Sequence, residues 1–199
     1  MDFNPSIMDI GLFILAYLFG SISSGIIACK AFDLPDPRTK GSNNTGATNI
    51  LRIGGKKIAS IVLIFDIFKG IIPVAIAIYL GFDLFGLIVV GIFAMIGHIF
   101  PIFFGFKGGK GVATFIGILL MVNLYSGLSF LAIWLFVAKI LKISSLSALI
   151  ATLLISPIFY FWTSDIDASL LIFVISVLIF ITHRSNIVRI IKKEEKNVK

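Results

Sequence analysis

The sequence predicts an all-α, polytopic integral membrane protein with seven transmembrane helices, its N-terminus outside and its C-terminus in the cytosol. Three observations lead there. The composition is 58% apolar and 14% charged, with a mean hydropathy of +1.08. That is too little charge to cover a soluble domain of 199 residues. The apolar residues are gathered in runs of the length needed to cross about 30 Å of hydrocarbon. Lys and Arg sit in short islands between those runs, which is the positive-inside pattern. A net charge of +7 in such islands points to the lipid bilayer as partner and not to nucleic acid, which needs a basic face on a soluble domain.

The spans are read as roughly 8–29, 57–80, 84–104, 111–124, 126–141, 145–162 and 166–183. No Lys or Arg precedes the first run, whereas a cleaved signal peptide begins with basic residues, so the run is expected to stay as a helix. The second run holds Asp66 and Lys69, three residues apart on one helix face and expected to pair. The pair is either a buried structural one or faces a polar cavity. Pro73, just beyond, is expected to kink this helix. The third run carries His98, expected to be a packed, hydrogen-bonded helix residue. The fourth and fifth are short and divide near Asn123–Gly127, and the last two complete the set. No repeat stands out, and residues 1–199 are read as one membrane domain. Cys29 is the sole cysteine, so no internal disulfide is possible.

Charge sets the orientation. Lys30, Arg38, Lys40, Arg52, Lys56 and Lys57 lie in or beside the first loop, and Lys107 and Lys110 in the third. Lys139 and Lys142 flank the fifth span, and Arg184 through Lys199 follow the last. With seven spans all of these share one face, while Asp2, Asp9, Asp83, Asp165 and Asp167 take the other.

Four polar islands on the basic face are candidates for chemistry. The first, Asp36–Lys57, concentrates Ser42, Asn43, Asn44, Thr45, Thr48 and Asn49 beside Gly41, Gly46 and Arg52. Small donors, a permissive backbone and a planar guanidinium suit a phosphate or carboxylate. A plain solvated loop is the alternative, though it does not need that density of Asn, Thr and Gly. The second, FKGGKGVAT (Phe106–Thr114), places Gly108, Gly109 and Lys110 where Gly111 is expected to open a helix, an anion-binding arrangement. A tight turn with anchoring lysines is the alternative. Phe104 stands where a Walker A loop needs Gly, and Thr114 where a dinucleotide fingerprint needs its third Gly, so no nucleotide is implied. The third holds Ser144, Ser145 and Ser147, which either cap a helix or donate to an anion. In the fourth, Thr182–Lys196, helical spacing brings His183, Asn186 and Arg189 together. A basic tail on anionic lipid is its alternative. No G-x-S-x-G elbow and few acids are present in the islands, so the site is read as one that binds and orients anions.

In this order the islands resemble the acyl-phosphate-dependent glycerol-3-phosphate acyltransferases of bacteria, the PlsY family. The resemblance runs from Ala16 nearly to the end and is most specific in GSNNTGATNILR, GHIFPIFFGFKGGKGVAT and HRSNIVR. Neither His98 nor His183 is followed five residues later by Asp, as the H-x4-D motif of unrelated acyltransferases requires. Departures from the family pattern include Asn43 and Lys193, where Gly is usual, Ser23 and Ser24, where Pro and an aromatic are usual, and Ala148 in the serine motif, where a second Ser is usual.

The resemblance implies transfer of a fatty acyl group from acyl phosphate to the 1-hydroxyl of sn-glycerol 3-phosphate, giving lysophosphatidic acid and phosphate, the first step of phospholipid synthesis. A transporter for a phosphorylated anionic solute is the competing reading. Carried over by position, Ser42, Arg52, His183 and Asn186 are expected to be catalytic. Thr48, Asn49, Gly108, Gly109, Lys110 and Ser145 are expected to bind substrate, and Glu195 to be structural. No metal or cofactor is expected. A monomer in the bacterial cell membrane, with its active site facing the cytosol, completes the expectation.

Overall fold

The computed structural model describes residues 5–197, so Asp2 and Lys199 lie outside the described residues. Among the described residues the chain forms nine α-helices, one short 3₁₀ helix and no strand. They are α1 (Ile7–Gly20), α2 (Ser24–Ala31), α3 (Ala47–Tyr79), α4 (Leu84–Ile99), the 3₁₀ helix Ile102–Phe104, α5 (Val112–Val122), α6 (Leu124–Leu141), α7 (Ser144–Thr163), α8 (Ile166–Thr182) and α9 (Arg184–Ile191).

Five segments are long and apolar enough to cross a membrane: Ile7–Ala31, Ala47–Tyr79, Leu84–Phe104, Leu124–Leu141 and Ser144–Thr163. A sixth candidate is α8 with α9, bent by 61° between them. The segment expected at 111–124 is an apolar helix of only 11 residues. Such a helix is about 16 Å long, roughly half the hydrocarbon thickness. All seven expected runs therefore carry helix, but length and composition qualify five of them, or six with the bent pair.

Three boundaries differ from expectation. The first run breaks at 21–23, where Ser21 Oγ donates to Tyr17 O at 2.8 Å and competes with the helical ladder. The first island is only partly a loop. Helix α3 starts at Ala47, because Ile50 and Asn49 fall on its buried face. The non-helical residue inside α3 is Gly55 (φ 78°, ψ −179°), not Pro73. That backbone conformation is essentially restricted to glycine.

Helix ends are closed by the acids and amides between the runs. Asp83 accepts from Gly86 N at 2.8 Å and Asp165 from Ala168 N at 2.9 Å. Asn123 ends α5 and caps α6, accepting from Ser126 N at 2.8 Å, so the short runs are two helices. Each such cap is worth about 1 kcal/mol.

Helices meet through small residues, as they must where lipid removes the hydrophobic drive for association. On α3 and α5, a Cβ on Gly70 would lie 2.2 Å from Thr114 O, and one on Gly117 would lie 2.1 Å from Ile67 O. The two backbones therefore touch. Phe115, Phe130 and Phe159 fill the adjoining core. Phe65, Phe136 and Phe161 point outward, the last 74% exposed, which suits a lipid-facing surface.

Candidate active site

The first island folds around one side-chain amide. Asn49 is fully buried, and its Nδ2 donates to Asn44 O at 2.8 Å and to Pro37 O and Lys40 O at 3.0 Å. Its Oδ1 accepts the N–H of Ser42 at 2.8 Å. Asn49 thus braces the loop that presents Ser42. Thr48 Oγ1 lies 3.2 Å from Ser144 Oγ, which joins α3 to the start of α7. Arg38 pairs with Asp36 at 2.6 Å and donates to Phe104 O at 3.1 Å, which ties the first island to the 3₁₀ helix that leads into the second.

The glycine–lysine loop packs against the end of α4. Gly108 N–H donates to Ile99 O and Gly109 N–H to His98 O, each at 3.1 Å. A Cβ on Gly109 would lie 2.1 Å from His98 Nε2, so only glycine fits. Gly111, with φ 90°, is the residue before α5, and Val112 opens the helix. Lys110 Nζ donates to Asn186 Oδ1, and Lys110 O accepts from Thr182 Oγ1 at 3.0 Å. Burial, then the nearby charges of Arg189 and Arg52, pull the Lys110 ammonium down to about 8, although Glu195 opposes the shift.

His183 sits at the bend between α8 and α9. Its Nδ1 lies 2.8 Å from Ile179 O. A carbonyl only accepts, so Nδ1 carries the proton and Nε2 offers a lone pair. Three side chains donate to Glu195: Asn186 at 2.7 Å, Ser145 at 2.9 Å and Arg189 at 2.5 Å. Burial alone would raise the Glu195 carboxyl, but the hydrogen bonds from Arg189, Asn186 and Ser145 outweigh it and hold it below its ordinary value.

These groups surround a cavity of about 280 Å³ lined by Ser42, Thr48, Arg52, Lys110, Ser145, His183 and Asn186. Of the expected site residues, Asn49, Gly108 and Gly109 stand behind this lining. One flank is apolar, formed by Leu63, Ile67, Leu131, Trp134 and Leu135. A wider cavity of about 1150 Å³ shares Thr48, Arg52, Glu195 and Lys196 with it and adds Lys56 and Lys193.

The charge balance of the inner cavity is positive. Its acids are Asp66 and Glu195, already paired with Lys69 at 2.6 Å and Arg189 at 2.5 Å. Arg52 and Lys110 have no carboxylate within ion-pair distance among the described residues. Lys196, also in the lining, has none either, and cations left over at such a cavity are what an anion needs.

Sequence reasoning gave His98 only a packing role, whereas it lines this cavity. Glu195, expected to be structural, accepts three hydrogen bonds at the cavity wall. Of the two readings left open for Asp66 and Lys69, the cavity lining includes Asp66. The signal for Glu195 was present as an acid within a basic tail, but no helical spacing links it to Ser145, which lies 50 residues away.

A family model described as glycerol-3-phosphate acyltransferase matches residues 10–193. The chain belongs to that family. Relatives of this acyltransferase chain include a glycerol-3-phosphate acyltransferase of Ruthia magnifica subsp. Calyptogena magnifica, 54% identical over 98% of both chains. One from Francisella tularensis subsp. holarctica (strain OSU18) is 49% identical over 96% of this chain and 93% of that one. Two crystal structures of PlsY, described as an integral membrane glycerol 3-phosphate acyltransferase, share the fold. The glycerol 3-phosphate form superposes with a TM-score of 0.92 at 35% identity, covering 96% of each chain. The lysophosphatidic acid form superposes with a TM-score of 0.87 at 34% identity, covering 96% of this chain and 95% of that one.

Proposed function

We propose that the chain transfers a fatty acyl group from acyl phosphate to the 1-hydroxyl of sn-glycerol 3-phosphate, releasing lysophosphatidic acid and inorganic phosphate. The observation that carries this is that Arg52 and Lys110 have no acid partner among the described residues, at a cavity that has one polar side and one apolar flank. A phosphorylated acceptor and a phosphorylated fatty donor need both features. Membership in the acyltransferase family supports the same reading.

The donor is a mixed anhydride with a good leaving group, so no covalent enzyme intermediate is required. The acceptor oxygen bonds to the acyl carbon, the carbon–oxygen bond to phosphate breaks, and the hydroxyl proton leaves with the departing phosphate or passes to His183 Nε2. The protein's task is to hold two anions together against their repulsion and to orient a hydroxyl at a carbonyl. Arg52 and Lys110 offset that repulsion and stabilise charge on the leaving phosphate. Ser42 and Asn186 lie where they can orient the polar ends, and the apolar flank with Trp134 and Leu131 suits the acyl chain.

The reading includes seven spans with the N-terminus outside, a multi-pass monomer in the bacterial cell membrane, and a site open to the cytosol. The one-sided Lys and Arg islands support it. The deciding experiment supplies purified protein in liposomes with long-chain acyl phosphate and glycerol 3-phosphate. Formation of lysophosphatidic acid and phosphate in equal amounts is expected. Uptake of labelled glycerol 3-phosphate without product would instead establish the transporter.

A further inference from the structure

Asp66 and His98 lie beneath the glycine–lysine loop, and the reaction outlined above gives them no role. Asp66, Lys69 and His98 are all more than nine-tenths buried. Asp66 Oδ1 receives hydrogen bonds from Ser24 Oγ at 2.5 Å and Lys69 Nζ at 2.6 Å, and His98 Nδ1 faces the same oxygen at 3.6 Å. That last distance is within ion-pair reach but too long for a hydrogen bond, and His98 Nδ1 has no hydrogen-bond partner among the described residues, so the carboxylate is the polar group it faces. The other ring nitrogen, Nε2, abuts Gly109, and His98 O accepts the Gly109 N–H at 3.1 Å. Asp66 also reaches the far side of the loop, because its backbone carbonyl accepts from Thr114 Oγ1 at 3.0 Å. A plain buried ion pair needs Asp66 and Lys69 alone. Here the carboxylate residue contacts the element before the loop and the helix after it, and Lys110 lies between them.

We propose that Asp66 and His98 are positioning residues for phosphate binding: the carboxylate orients the imidazole, and the imidazole backs Gly109 so that Lys110 is seated for the phosphate of glycerol 3-phosphate. This rests on the substrate proposed above. The pair acts through Lys110 and touches no reacting atom. Its effect is therefore expected on KM for glycerol 3-phosphate more than on KM for acyl phosphate. Ser24 takes part as a second donor to Asp66 beside Lys69, at a position where the family pattern carries an aromatic residue.

The test compares His98→Ala, His98→Gln and Asp66→Asn with wild type in liposomes, varying each substrate in turn. His98→Ala is expected to raise KM for glycerol 3-phosphate at least tenfold while KM for acyl phosphate changes less than twofold. His98→Gln, whose amide reaches the Nε2 position, is expected to recover most of that loss. Asp66→Asn is expected to shift the same KM by a smaller factor. In a Lys110→Ala background, His98→Ala is expected to add less than twofold, because both changes remove one interaction. An equal rise in both KM values, or a full multiplicative effect on top of Lys110→Ala, overturns the proposal. If His98→Ala does not fold, failure of Asp66→Asn to change KM for glycerol 3-phosphate overturns it. Calorimetric titration with inorganic phosphate separates this inference from the substrate reading. Wild type that binds phosphate but makes no lysophosphatidic acid overturns the reaction, and the phosphate affinity of His98→Ala, expected at least tenfold weaker, then decides the pair.

Discussion

Ser145 Oγ donates to Glu195 Oε1 over 2.9 Å and joins the start of α7 to a residue 50 positions further along. The same carboxylate holds Asn186 and Arg189 of α9. Asn186 in turn accepts from Lys110, so a single acid links three of the four polar islands. The following residue, Lys196, offers its carbonyl to Arg52 Nη2 at 3.4 Å and brings the first island to the same place. Glu195 thereby draws the C-terminal segment across the cavity.

Glu195→Ala is expected to lower both activity and stability. Hydrogen bonds to a charged group contribute about 1.5–3 kcal/mol each, and three donors lose their acceptor together. At least a tenfold loss in kcat is expected, with a lower midpoint of thermal unfolding in detergent. Glu195→Gln keeps an acceptor oxygen and should fall between. The Glu195 carboxyl is held below its ordinary value, so its contribution is present above the unfolded-state value of about 4.3 and is lost as pH falls through the lower folded value. Melting curves of wild type and Glu195→Gln should therefore differ at pH 7 and converge in acid.

The sequence made the helical membrane class legible because composition and period are local properties. It also gave the order of the islands and most of the cavity lining, since Arg52, Lys110, His183 and Asn186 are polar residues that a greasy chain has no packing reason to hold. The Asp66–Lys69 pair was legible for the same reason, from its spacing of three on a helix. What sequence alone left unread depends on contacts between distant segments. Asn49 resembles Ser42 and Thr48 in composition, yet its amide is taken up by three loop carbonyls. Gly108 and Gly109 are expected to bind substrate, and no local pattern announces that a Cβ added at either would meet His98, Ile99 or Pro101. The start of α3 was placed too late because polar motif residues were read as loop, whereas one face of that turn is buried.

Arg52 should separate function from stability. Among the described residues its one hydrogen bond is the 3.4 Å contact to Lys196 O, so the planar fork of donors is available to a ligand. Arg52→Ala is expected to reduce kcat/KM at least 100-fold, which corresponds to about 2.7 kcal/mol of transition-state stabilisation. Unfolding stability should move by no more than about 0.5 kcal/mol. Arg52→Lys keeps the charge and loses the bidentate geometry, and is expected to recover less than a tenth of the lost rate. Equal loss of activity and stability in Arg52→Ala would mark the residue as a brace.

Two departures from the family pattern fall where the backbone is left-handed. Asn43 has φ 56° and Lys193 has φ 59°, and Gly is usual in the family at both. A residue with a Cβ costs about 1–2 kcal/mol there, less for Asn, while Gly loses about 0.4–1 kcal/mol through the unfolded chain. The first effect wins for Lys193 and the two nearly cancel for Asn43. Lys193→Gly is expected to stabilise by about 0.5–1 kcal/mol and Asn43→Gly by close to nothing, measured by chemical denaturation in detergent.

Lys110 is expected to set the alkaline limit of activity. Burial, together with Arg189 and Arg52, lowers its ammonium to about 8, so the unliganded site loses this charge as pH rises through that value. A bound phosphate favours the ammonium and raises its pKa in the complex. The limit should therefore show in kcat/KM for glycerol 3-phosphate, which depends on the free enzyme, before it shows in kcat. Expected is a kcat/KM that is level below about pH 8 and falls about tenfold per unit well above it, while kcat at saturating substrate holds to higher pH. Lys110→Arg puts a permanently charged guanidinium at the position. Its rate should be lower at pH 7 because the fork does not reproduce the ammonium's hydrogen bond to Asn186, but its alkaline fall should disappear. A Lys110→Arg profile with the same fall would assign that limit to another group.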